Sequence, residues 1–190
     1  MRARAPIQAA GPAMMSHGFG LLELLIVLMI AAVLLAIAAP SMRDLLQKQA
    51  ITTAANEFFS ALGLARAEAM ARGARVDLVP LAADGEDWSG GWQVFVDENG
   101  NRRPDSGEQV LLLHPALPAP MRTRSVLTDA TAPLYIAYNG NGRTRTDAGI
   151  DAPQLGTVSF FLDAQIRRIK INFLGRARLC DPATDAATCT

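Results

Sequence analysis

The hydrophobic pattern changes character twice along the chain. From Phe19 to Ala39, twenty-one consecutive residues are apolar apart from Gly20 and Glu23. A run of about 20 apolar residues spans the roughly 30 Å hydrocarbon core of a bilayer as a helix. After Pro40 the run gives way to helical spacing. Leu45, Ile51, Ala55, Phe58, Leu62, Ala65 and Ala69 form one stripe, and Arg43, Asp44, Gln47, Lys48, Glu57, Arg66 and Arg72 occupy much of the other surface. Gly73 is a plausible stop, so one long helix is expected over residues 19–72. Its second part should pack on a sheet. Pro40 lacks an N–H and clashes with the preceding turn, which should kink or loosen that helix.

From Arg75 onward the period shortens to that of strands. Apolar and β-branched segments fall at 75–81, 91–97, 109–114, 134–138, 156–162 and 167–174, separated by the turn-rich "AADGEDWSG", "DENGNRRPDSGE", "NGNGRTRTDAGIDAP" and "DAQI". The clearest hairpin is "TVSFFLDAQIRRIKINFLG". In it Ile169, Ile171 and Phe173 alternate with Arg168, Lys170 and Asn172, one buried face and one wet one. No internal repeat or low-complexity linker stands out. A long helix followed by antiparallel strands makes an α+β fold.

Composition narrows the function classes. The 190 residues are 50% hydrophobic and 19% charged, too apolar for a disordered chain. Eighteen basic and eighteen acidic residues cancel, so net charge names no partner. Their distribution is uneven. Eight acids and two bases lie between Asp77 and Glu108, whereas nine bases and four acids lie between Arg122 and Arg178, which allows a positive face. His17, His114, Cys180 and Cys189 fit no zinc pattern. Outside the cytoplasm, Cys180 and Cys189 would read as a disulfide restraining the tail.

Glu23 is the anomaly of the apolar run. A carboxylate deep in a bilayer costs on the order of 2.5–3.5 kcal/mol and is a functional candidate by default. The flanks do not match a secretory signal, because a small residue, Gly18, precedes the apolar run instead of following it. The leader "MRARAPIQAAGPAMMSHG" is short and polar or small, and Met14 or Met15 is an alternative start. "GFGLLELLIVLMIAAVLLAIAAPSM" resembles the N-terminus of type IV pilins and type II secretion pseudopilins. The resemblance implies cleavage by a prepilin peptidase between Gly18 and Phe19, and N-methylation of Phe19. It makes Glu23 the fifth mature residue, which in that family neutralises the N-terminal amine of a neighbouring subunit. It makes Pro40 the twenty-second, the family's helix-weakening proline. Two positions depart from the pattern: Gly20 stands where Thr or Ser is usual, and His17 where Lys or Arg is usual.

The likeness continues downstream. "FFSALGLARAEAMARGARVDL", "GWQVFVDENGNRRPDSGEQVLL" and "FLGRARLC" resemble the GspH/FimT group of minor pilins and pseudopilins. Three R-x-R pairs draw notice on their own account: Arg122/Arg124, Arg143/Arg145 and Arg176/Arg178. On an extended strand, residues two apart share a face about 6.6 Å apart, and two guanidiniums so placed each hold a phosphate oxygen. Two of the pairs follow glycine, in "GRTR" and "GRAR", where a flexible loop or tail would suit a nucleic-acid backbone. The competing reading is a solvated strand face with local ion pairs to Asp147, Asp151, Asp163 and Asp181. In the FimT group a C-terminal Gly-Arg-x-Arg motif is implicated in DNA binding, and Gly175 to Arg178 match it. The resemblance therefore implies DNA contact by Arg176 and Arg178, with Arg143 and Arg145 as a second set.

Other chemistry is weakly supported. Asp97, Asn99, Asn101, Asp105 and Glu108 have the spacing of a calcium loop, but Arg102 occupies the position that needs glycine, and Arg103 follows it. No G-x-S-x-G or H-E-x-x-H occurs, and His114 has no evident catalytic company.

The expectation is thus a pilin-like α+β protein without catalytic residues, metal or cofactor. Its parts would be a leader over 1–18, a membrane and filament-core helix over 19–39, an amphipathic continuation over 40–73, and a periplasmic β domain with its tail over 74–190. Expected partners are other pilin or pseudopilin subunits, the prepilin peptidase, the inner membrane and DNA. The alternatives are a GspH-like pseudopilin of type II secretion that does not touch DNA, and a membrane-anchored periplasmic enzyme or binding module.

Overall fold

A computed structural model describes residues 20–149 and 152–189. Helix α1 runs from Leu21 to Arg72, continuous through position 40. Gly73 ends it in the left-handed region at φ +64°, and the Ala74 N–H closes back on the Ala69 carbonyl at 3.3 Å. This is the glycine-terminated cap that the sequence signalled.

The chain divides into two compact units, Met1–Arg43 and Asp44–Thr190. In the first, the large apolar side chains from Leu21 to Ile37 are exposed, and the helix is long and apolar enough to cross a membrane. A helix apolar on all sides suits lipid or a protein assembly, not water. Glu23 lies exposed in its first turn.

The second unit holds two antiparallel sheets where the sequence suggested one. Strands β1 (Val76–Pro80), β2 (Trp92–Val96), β3 (Val110–His114), β5 (Ile136–Tyr138) and β6 (Thr144–Arg145) form a sheet in the order β3-β2-β1-β5-β6. Strands β4 (Arg122–Leu127), β7 (Gly156–Leu162), β8 (Gln165–Ile171) and β9 (Ala177–Cys180) form the other, in the order β4-β7-β8-β9. Strands β4, β6 and β9 were not expected. "RTRSVL" has too few apolar residues to alternate visibly, and the other two are four residues or fewer.

One core joins α1 to both sheets. Ile51, Ala54, Ala55, Phe58, Ala61, Leu62, Ala65 and Ala69 are buried against Trp88, Trp92, Val94, Val158, Phe160 and Ile169. The alanines let the helix approach closely, and Phe58 fills the centre. Its ring meets Trp88, Trp92 and Phe160 edge-on at centroid distances of 5.0, 5.1 and 5.6 Å, a favourable aromatic geometry. Two expected core positions are exposed. Leu45 is 49% exposed, because the stripe is covered only from Ile51 onward. Phe173 is 62% exposed, because it lies in a turn beyond the last paired residues, Ile171 and Ala177.

A smaller cluster, Val79, Phe95, Tyr135 and Ala137, sits apart from the main core. Over it folds the "DENGNRRPDSGE" loop. Asp97 accepts from the N–H groups of Gly100 (2.6 Å) and Arg102 (3.1 Å), and the Asn99 and Asn101 amides donate to Asp105 at 2.7 and 2.6 Å. Glu108 accepts from the N–H groups of Glu98 and Asp105. The acidic side chains thus organise the loop's own backbone. Arg102, at positive φ, stacks on the Tyr135 ring at 3.9 Å and pairs with Asp129 and Asp147. Beside the loop, Arg75 forks onto the buried Asp77 through two 2.8 Å hydrogen bonds, and lies 3.5 Å from Asp97. Burial pushes the Asp77 carboxyl up to about 7 despite that guanidinium.

Candidate functional site: two docked arginine turns

The G-R-x-R segments are not flexible loops. Each belongs to a hairpin turn, and the two turns have one architecture. In the β5–β6 turn, Asn139 Oδ1 accepts from the N–H groups of Asn141 (3.1 Å) and Arg143 (2.9 Å), while Gly142 N–H donates to the Asn139 carbonyl at 2.8 Å. In the β8–β9 turn, Asn172 Oδ1 accepts from Leu174 (2.9 Å) and Arg176 (3.0 Å), while Gly175 N–H donates to the Asn172 carbonyl at 2.9 Å. The glycines sit at φ +69° and +72°. A side chain that bonds the backbone two residues on, followed by a left-handed glycine, is a tight and well-specified turn. The shared spelling is N-x-x-G-R-x-R, at 139–145 and 172–178. The two asparagines, missed in the sequence, were legible as a short repeat once the glycines had been aligned.

The turns also touch. A Cβ on Gly175 would stand 2.8 Å from the Gly142 carbonyl oxygen and from Thr144 N, and 3.1 Å from Arg143 Cα. Backbone meets backbone there. The contact brings together the two sheet edges formed by β6 and β9, and sets Arg143 and Arg176, equivalent residues of the two turns, on one exposed rim.

The four expected arginines do not have one environment. Arg143 and Arg176 are exposed. Arg178 is also exposed, but its guanidinium pairs with Asp185 and with Thr188 Oγ1. These partners lie on the tail, which ends in helix α2 (Ala186–Cys189) and is closed by a disulfide between Cys180 and Cys189. Arg168 Nη1 further pins the tail through the Cys189 carbonyl at 2.7 Å. Arg145 corrects the shared-face expectation. Only Thr144 and Arg145 of that segment form a strand, and Arg145 is half-buried, lining a cavity of about 400 Å³ with Arg75, Tyr138 and Asp147. Its Nε and Nη1 are buried with no hydrogen-bond partner among the described residues. Arg122 and Arg124 stand on β4, at the opposite edge of the second sheet from β9.

His114 ends β3, stacked on Trp92 at 3.8 Å with Nε2 3.1 Å from Glu57. That is a packing role at a strand end. Gly18 and Phe19, the expected processing site, lie outside the described residues together with the leader.

A long N-terminal helix, apolar in its first part and packed on antiparallel sheets in its second, defines a pilin-like subunit. Comparison with known proteins agrees. A family model described as Type II transport protein GspH matches residues 54–175, and one described as Prokaryotic N-terminal methylation motif matches residues 13–39. The chain belongs to the GspH family, within the minor pilins and pseudopilins. It is 39% identical over 101 residues to the pilin-like protein PilA1 of Thermus thermophilus, an alignment covering 53% of this chain and 61% of that relative's length. The fold is that of the type IV minor pilin FimU of Pseudomonas aeruginosa, with a TM-score of 0.53 and 18% identity over 70% of this chain and 90% of that one. It is also that of the minor pseudopilin EpsH from the Type 2 Secretion System of Vibrio cholerae, with a TM-score of 0.51 and 15% identity over 70% and 98%.

Proposed function

We propose that the chain is a non-enzymatic minor subunit of a type IV pilus or related filament, and that its exported domain contacts DNA through the arginine turns. In this reading the prepilin peptidase cuts between Gly18 and Phe19 and methylates Phe19. The following apolar helix holds the subunit in the inner membrane, with the folded domain in the periplasm, until it joins other pilin subunits in the filament. Glu23 then pairs with a neighbour's N-terminal amine, since a carboxylate withdrawn from water needs a cation. Pro40 supplies the pliability for leaving the bilayer.

The observation that carries the DNA reading is the docking of the two N-x-x-G-R-x-R turns, which sets Arg143 and Arg176 on one exposed rim with Arg178 two residues further along. Guanidiniums held by tight turns suit a phosphate backbone, with strong salt dependence and little sequence preference. The test is DNA binding by the full chain in detergent micelles at low salt. Arg176→Ala/Arg178→Ala should weaken it clearly, and unchanged affinity refutes the reading.

A second reading, a GspH-like pseudopilin of type II secretion that binds no DNA, is favoured by the Arg178–Asp185 pair and the half-burial of Arg145. Both remove charge from the proposed contact.

A further inference from the structure

Strands β4, β7, β8 and β9 together contain six basic residues and no acidic one. Alternation sorts them between the two faces of the sheet. Ser125, Val158, Ile169 and Leu179 are register partners on the core side, where Val158 and Ile169 are fully buried. One residue along, Arg124, Ser159, Arg168 and Cys180 form a row on the opposite face. Val126, Thr157, Lys170 and Arg178 form the next, and Arg122 heads a third with Phe161 and Ile166. Of the six bases, Arg167 turns inward, with Nε 3.2 Å from Thr52 Oγ1 on α1. The other five share the outer face.

We propose that this outer face, from β9 across to β4, is a binding surface for a nucleic-acid sugar-phosphate backbone, with Arg122 and Arg124 as contact residues at its far edge. The inference rests on the DNA reading above and extends it across a whole sheet. Three strand spacings of about 4.8 Å span about 14 Å, the rise of about four phosphates along one strand of a duplex at 3.4 Å each. Arg122 and Arg124 are exposed, and their side chains have no hydrogen bond or ion pair among the described residues. At the β9 side the disulfide-closed tail lies on the face and supplies it with acceptors. The Asp185 carboxylate pairs with Arg178, the Cys189 carbonyl accepts from Arg168, and Cys180 of that row is buried, so the open part of the face is its β4 side. The outward aromatic of these strands, Phe161, is half-buried. That favours contact with phosphates over stacking on bases.

The test uses the full chain in detergent micelles and a fluorescein-labelled duplex of about 30 base pairs, with anisotropy titrations between about 50 and 200 mM salt. Arg122→Ala/Arg124→Ala should weaken binding roughly tenfold at the low-salt end and reduce the salt slope by about 1.8, or 0.9 per lost phosphate contact. Thr157→Glu removes no arginine but sets a carboxylate in the middle of the track, and it too should weaken binding. Thermal unfolding of each variant checks that the sheet is intact. If both variants bind as the parent does while Arg176→Ala/Arg178→Ala weakens binding, the hairpin reading stands and the sheet-face proposal is overturned. If all three variants bind as the parent does, the DNA reading itself is wrong.

Discussion

Gly142 and Gly175 hold the same place in the same turn, at nearly equal φ, yet replacing them with alanine should cost unequal amounts. The left-handed backbone penalises any Cβ by about 1–2 kcal/mol at either site. The loss of unfolded-state entropy on adding a Cβ is common to both and cancels. Their surroundings differ. At Gly175 the new carbon would press on the Gly142 carbonyl and Thr144 N, both at 2.8 Å, so main chain must move against main chain. Overpacking of this kind adds about 1–3 kcal/mol. At Gly142 the nearest atoms are Met70 Sδ at 2.6 Å and Cγ at 3.0 Å. Met70 is 48% exposed and can swing aside. Gly175→Ala should therefore cost about 2–5 kcal/mol, and Gly142→Ala about 1–2 kcal/mol, so the loss at Gly175 is the larger. Urea unfolding of the full chain in a mild detergent, followed by fluorescence of the buried Trp88 and Trp92, measures both. Equal losses, or a larger loss at Gly142, would refute the turn-on-turn contact.

Two further outcomes are expected. Because Asp77 has a carboxyl raised by burial to about 7, against an ordinary 3.8, the folded state binds a proton in that window which the unfolded state has released. Stability from this group is fully present below about pH 4 and falls by up to about 1.4 kcal/mol per pH unit as pH rises toward 7. Thermal melts of parent and Asp77→Asn at a series of pH values should show that slope in the parent and its loss in the variant. Asp185→Asn should free Arg178 and raise duplex affinity several-fold at low salt, with the gain shrinking as salt rises. Glu86→Gln, the same change of net charge on an exposed loop residue of the first sheet's side, should give a smaller gain, and an equal gain would mean that bulk charge alone is at work.

The parts of the fold written in strong periodicity were legible. The apolar run, the helix stop at Gly73 and the β7–β8 hairpin follow from side-chain pattern alone. The division into two sheets does not, because it depends on which strands pair across distant segments, and "RTRSVL" carries its pairing in backbone bonds to β7 without an apolar signature of its own. Arg145 was misread for a related reason. The spacing rule that puts residues two apart on one face holds inside a strand, and that segment leaves its turn only at Thr144. Arg178 was expected in a flexible loop or tail but stands on strand β9, and its partner Asp185 could not be inferred from charge order along a tail whose fold is set by the Cys180–Cys189 bridge. Asn139 and Asn172 were the more accessible miss. Their hydrogen bonds are local, so the motif could have been seen as a turn and not merely as glycine followed by arginines.

The two sheets leave unlike flanks open to water. At one, β4 carries Arg122 and Arg124, charges that discourage a stray strand from adding to the ladder. At the other, β3 is "VLLLH", with Val110 and Leu113 exposed and no Asp, Glu, Lys or Arg along it. Such a flank is a template for unplanned pairing. While subunits await incorporation, crowding should select this border first for self-association. The arginines of β4 thus act as guards against aggregation at that edge, and the β3 edge depends on being kept dilute or covered.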